Sequence, residues 1–161
     1  MRKFIIQVIL LIAVIGAAIF LLQNNQIVSN LPLLPQQPKE GKVEINNAVM
    51  SVEIADTPEK RSKGLGGRES LASDAGMLFI FPKLDKYPFW MKELNFPLDF
   101  VWIRGDKVIE TMQNIQPPLP GQSNESLPIF STKEDVDKVL EVNAGTVNKL
   151  NIKAGDTIKI Q

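Results

Sequence analysis

From Phe4 to Leu22 every position is apolar except Gln7, and no polar face recurs at helical spacing. As a helix rising ~1.5 Å per residue, this run reaches roughly 28 Å, close to the hydrocarbon thickness of a bilayer. The pattern predicts a transmembrane helix over residues 1–22. A core helix would carry a polar face. A cleaved signal peptide would end a shorter apolar core, about 7–15 residues, at a small-x-small site, whereas Gly16-Ala17-Ala18 runs on into Ile19–Leu22. Arg2 and Lys3 precede the run, and Gln23–Pro38 carries no charge. The positive-inside rule then expects a cytoplasmic N-terminus and places everything after residue 22 outside, as a single-pass protein of the cell membrane. Residues 23–41, with Pro32, Pro35, Pro38 and a closing Gly41, read as an extended tether.

Beyond residue 41 the period shortens to two. Residues 42–45 and 49–55 alternate around Asn46-Asn47, which predicts a hairpin. Asp56 or Thr57 caps a short helix that starts at Pro58 and stops at Gly64. Met77–Phe81 reads as a buried strand closed by Pro82, and Phe89–Lys92 as another short strand. Asp99–Ile103 and Lys107–Met112 form the clearest hairpin, with Gly105-Asp106 suited to a type II′ turn that pairs Ile103 with Val108 and Trp102 with Ile109. Gln116–Pro128 is a Pro-rich loop. A strand at Val139–Val142, a short helix capped by Asn143 and a last strand at Thr157–Ile160 follow. The expected fold for 42–161 is mainly β, a compact β-sandwich or partly open barrel with two short helices.

Composition narrows the chemistry. There is no histidine and no cysteine. That removes disulfides, thiolate nucleophiles, imidazole acid–base pairs and the usual zinc and iron–sulfur ligands, and no cofactor or metal is expected. The whole chain has 18 basic and 18 acidic side chains, and residues 42–161 have 15 and 17, so nucleic acid is not the expected partner.

The succession ADTPEKRSKGLGGRESL, GMLFIF, PFWMK, PLDFVWI, VLEVNAG and AGD resembles the domain-of-unknown-function family 192, small prokaryotic proteins that are often secreted or membrane-anchored. The resemblance spans about residues 42–161 and implies a compact, mostly β domain without an established reaction. It departs at Gly66, where the family pattern usually has Met, and in the tight turn after Ile103.

Five residues stand out as candidates. Arg68 ends the Gly64-Leu65-Gly66-Gly67 run, which has the look of a phosphate cradle but follows a helix and lacks the Lys-Ser/Thr of a P-loop, so a helix C-cap and turn is the expected role. In Phe89-Trp90-Met91-Lys92, alternation puts Trp90 and Lys92 together as a ligand platform if Phe89 and Met91 face the core. Asp99 and Glu141 lie in otherwise apolar strands, as catalytic carboxylates or as structural partners of Arg68 or Lys92. On the Asp99 hairpin, its face is expected to hold Val101, Glu110 and Met112. Arg104-Gly105-Asp106 is accounted for by the hairpin turn, and Asn124-Glu125-Ser126 is a glycosylation sequon. The expected function is a binding or assembly module at the cell envelope. The alternative is a hydrolase, acting on glycans, with Asp99 or Glu141 as general acid or base.

Overall fold

The computed structural model describes residues 1–23 and 38–161, which divide into two units, Met1–Pro38 and Lys39–Gln161. In the first unit α1 spans Arg2–Gln23. Its continuous part with described side chains is Ile5–Leu21, all exposed, and among the described residues no helix is long and apolar enough to cross a membrane. The expected transmembrane span therefore stands on the sequence pattern. The expected tether falls at positions 24–37 outside the described residues, and its last three residues are strand rather than linker, because β1 starts at Lys39.

The second unit is mainly β. Its strands are β1 (Lys39–Ile45), β2 (Ala48–Ala55), β3 (Ala75–Asp85), β4 (Leu98–Arg104), β5 (Lys107–Ile115), β6 (Val136–Asn143) and β7 (Ile158–Ile160). They form one seven-stranded sheet in the order β5-β4-β6-β3-β2-β1-β7, with β2 and β3 parallel and the other pairs antiparallel. The two edges meet at one end through a Lys107–Thr157 bridge, where Val108 N–H donates to Asp156 O at 2.9 Å and Ile158 N–H to Asp106 O at 2.9 Å. A single sheet closing on itself is a partly open barrel, so the sandwich alternative is set aside. Two short helices, α2 (Pro58–Lys63) and α3 (Thr146–Lys149), and one 3-10 turn at Asn124–Ser126 complete the fold.

Alternation along the strands divides the core. The inner face holds Val43, Ile45, Val52, Leu78, Val101, Ile103, Leu140 and Val142, closed by Val147 and Ile152. The outer face holds Met77, Phe79, Leu98, Phe100, Trp102 and Val139, and is roofed by Leu65, Phe89, Met91 and Leu94 from the connecting loops. Both faces of β4 are buried, which explains its apolar run Phe100–Ile103.

Local chemistry accounts for most boundaries. Asn46 and Asn47 both have positive φ, 48° and 64°, as a type I′ turn requires. The Thr57 hydroxyl accepts Lys60 N–H at 3.3 Å, and Gly64, at φ 51°, ends α2. Gly105, at φ 61°, makes the β4–β5 turn, and Ile103 faces Val108. The next pair is Trp102–Glu110, because a bulge makes Ile109 the extra residue. That shift moves Glu110 and Met112 opposite Trp102 and Phe100, away from the Asp99 face to which strict alternation assigned them. Pro82 does not end β3: the register with β6 jumps between Ile80 and Asp85, so Pro82 sits where no ladder hydrogen bond is asked of it. Phe89–Lys92 is not a regular strand but a loop held by one bridge, Phe89–Phe130. The helix α3 is capped by Gly145 rather than Asn143, whose amide instead donates to Leu71 O and Ala72 O at 3.1 and 2.9 Å.

Candidate functional site

Where β3 and β6 run side by side on the outer face, Glu141 stands between Met77 of β3 and Phe100 of β4. It is 4% exposed. Among the described residues it enters no ion pair, and burial pushes its carboxyl up to about 8. With no cation within ion-pair distance among the described residues, burial favours its uncharged form at neutral pH, which presents an O–H donor. It lines a cleft of about 290 Å³ formed over the sheet by the end of α2, the turn after it and the loop at 87–94.

The walls of this cleft are aromatic. Phe81 and Tyr87 stack with centroids 3.5 Å apart and planes 10° apart, and Phe79 meets Phe89 edge-on at 5.0 Å. The Arg61 guanidinium lies 5.3 Å over Phe81 and donates to Asp56 O at 2.8 Å and Ile80 O at 3.0 Å, so its donors tie α2 to β3. Trp90 and Lys92 line the same cleft, with Trp90 53% exposed while Phe89 and Met91 are buried. The alternation expected for this segment holds even though the segment is a loop. The Lys92 ammonium is 3.7 Å from Glu93. Lys63, at the C-terminal end of α2, and Gly66 complete the rim. A Cβ on Gly66 would meet Lys63 O at 3.1 Å, so the missing side chain keeps the turn tight and the rim open.

The structure thus brings Glu141, Trp90 and Lys92 together and leaves Arg68 and Asp99 elsewhere. Arg68 forms a two-pronged pair with Glu53, with Nη2 2.7 Å from Oε2, and this hydrogen bonding holds the Glu53 carboxyl below its usual range. Neither Glu141 nor Asp99 is its partner, contrary to the structural pairing considered from sequence. The glycine run before it is a cap and turn: Gly64, Gly66, Gly67 and Arg68 donate their N–H groups to Lys60, Lys63, Glu93 and Leu65 carbonyls at 2.9–3.3 Å, which leaves no free cradle for phosphate. Asp99 is 0% exposed and faces the inner core. Its Oδ1 accepts Asn114 N–H at 2.8 Å and its Oδ2 accepts Val147 N–H at 2.9 Å. It therefore serves the first turn of α3, whose Gly145 cap has no side chain to offer.

Lys63, Phe81, Tyr87 and Glu93 also line the cleft and were not singled out from the sequence. The run Tyr87–Glu93 is dense in aromatic and charged residues, and that density was the available signal. Two other grooves are larger, about 620 Å³ beside β1–β3 and about 610 Å³ beneath the Pro-rich loop, but neither joins a buried carboxyl to aromatic walls and cations.

Fold and cleft together define a small, partly open β-barrel with a carboxyl-floored, aromatic pocket on its outer face. The chain belongs to DUF192, the domain-of-unknown-function family 192, described as an uncharacterized ACR, which matches residues 41–160. Among solved structures it is similar to a "putative transcription regulator" from Sinorhizobium meliloti 1021, at 32% identity over 76% of this chain and 94% of that one, with a TM-score of 0.68. A protein of unknown function from Novosphingobium aromaticivorans DSM 12444 is similar at 27% identity over 80% of this chain and 89% of that one, with a TM-score of 0.65. No curated protein matches the chain.

Proposed function

We propose that the chain is a single-pass membrane protein whose β unit acts outside the membrane as a binding module of the cell envelope, taking a small ligand in the Glu141 cleft. The observation that carries the binding role is the convergence of Trp90, Lys92 and Glu141, from two separate segments, on one concavity. The anchor is supported by the sequence pattern, the apolar run Phe4–Leu22 behind Arg2 and Lys3. Balanced charge, 15 basic and 17 acidic side chains over residues 42–161, argues against nucleic acid as the ligand.

Two measurements test this reading. Full-length chain should stay in the membrane fraction after alkaline extraction and be digested by protease added from outside; release into the soluble fraction overturns the anchor. A ligand should quench the exposed Trp90 saturably, and Trp90→Ala and Lys92→Ala should weaken its binding without lowering the melting temperature. Unchanged binding in both variants removes the cleft from consideration.

A hydrolase reading is favoured by one observation, that the buried Glu141, whose carboxyl burial pushes up to about 8, and a second acid, Glu93, line the same cleft. It expects slow turnover of aryl glycosides that Glu141→Gln abolishes. Absence of turnover between about pH 5 and pH 8 rules it out.

A further inference from the structure

We propose that the cleft selects a small ring-shaped anion, a six-membered ring, aromatic or pyranose, carrying one carboxylate group. This deepens the binding reading above and rests on it. Three features of the cleft carry it.

The first is charge. Arg61, Lys63 and Lys92 line the cleft, and besides Glu141 its lining holds one further acid, Glu93. Arg61 is committed to two backbone carbonyls and the face of Phe81. Among the described residues Lys63 enters no ion pair, and Lys92 has only Glu93, at 3.7 Å and beyond hydrogen-bond range. Two lysines on the cleft lining therefore keep ammonium donors to spare, and an anion held there can satisfy them. The second is the floor. A carboxylate there would repel an anion, but a protonated Glu141 does not, and its O–H donates to a ring oxygen or to the anion itself. The third is shape. Trp90 offers a flat, 53% exposed face beside Tyr87 and Phe81, and 290 Å³ is at the bottom of the ~300–1,000 Å³ range of small-molecule sites, which suits one ring and its substituent.

The test titrates the full-length protein in detergent micelles with four probes, followed by Trp90 fluorescence and calorimetry. Benzoate and glucuronate are the anionic rings; benzyl alcohol and glucose are their neutral counterparts. At least one anion should bind about tenfold more tightly than its neutral counterpart. Preference for benzoate assigns an aromatic acid, and preference for glucuronate an acidic sugar. Lys63→Met and Lys92→Met should each weaken the anion about threefold to tenfold and leave the neutral ring unaffected, and salt raised from about 50 to about 500 mM should weaken only the anion.

Raising the pH from about 6 to about 9 should weaken the anion as Glu141 ionises, and Glu141→Gln should abolish that decline. The other ionisable groups facing the cleft are Arg61, Lys63, Tyr87, Lys92 and Glu93. Neutral rings that bind as tightly as the anions overturn the proposal while leaving a binding module in place. Anion binding indifferent to both lysine variants overturns it too, as does failure of all four probes to bind.

Discussion

Asp99 and Glu141 are buried carboxylates on adjoining strands, and they meet burial in opposite ways. Asp99 lies between two backbone N–H groups, at 2.8 and 2.9 Å, whereas Glu141 has no such partner among the described residues and burial pushes its carboxyl up to about 8. Asp99→Ala would strand the N–H groups of Asn114 and Val147, at about 1–3 kcal/mol for each unsatisfied buried donor, so the melting temperature should fall steeply and α3 should loosen first in hydrogen exchange. Asp99→Asn keeps one acceptor and should fall between; equal stability of wild type and Asp99→Ala refutes the clasp. From sequence the two residues look alike, each a single acid in an apolar strand. Alternation shows that such a side chain is buried. It does not show what faces it, because the partners of Asp99 lie 15 and 48 positions away and depend on how β5 and α3 return to β4.

Elements were legible where a turn or cap residue dictates them. Asn46-Asn47, Gly105-Asp106 and Thr57-Pro58…Gly64 each require a particular backbone conformation, and each stands where the chemistry places it. Thr57→Ala should cost about 1 kcal/mol by removing the acceptor of Lys60 N–H, read as a lowered denaturation midpoint with an unchanged slope. The elements that strayed from expectation depend on pairing across the sheet. The bulge at Ile109 and the passage of β3 through Pro82 arise from partner strands, and no local pattern encodes a register shift. Close approach of β3 to β6 was equally invisible. A Cβ at Gly76 would lie 2.8 Å from Glu141 O, so Gly76→Ala should force the strands apart, destabilise the unit by about 1–3 kcal/mol and disturb the floor of the cleft. An unchanged melting temperature for Gly76→Ala would show that the two strands are packed less tightly than described.

At the scale of the whole β unit, the cleft is where two connections, β2 to β3 and β3 to β4, cross the outer face of the sheet, which is why only its Trp90–Lys92 edge and Glu141 could be picked out one at a time. Its floor should also set how stability responds to pH. The carboxyls of Glu53, Asp56 and Asp156 lie below their ordinary values, chiefly through side-chain hydrogen bonds from Arg68, Lys39 and Asn46. Their contribution is present above the unfolded values, about pH 4, and is lost as pH falls through the folded ones. Glu141 has the opposite sign, because its folded value, about 8, exceeds its unfolded one. The native state then binds more protons than the unfolded state, so the contribution of Glu141 is complete below about pH 4.5 and declines as pH rises toward 8, by up to about 1.4 kcal/mol per pH unit. Stability should therefore peak near pH 5 and fall through neutrality, unusual for a chain with no histidine to titrate there. Glu141→Gln should flatten that decline and be the more stable protein at pH 8. A wild-type melting temperature that stays level from about pH 5 to pH 8 would mean that Glu141 meets a cation when it ionises, and the cleft would then hold a salt bridge where the structure shows a neutral donor.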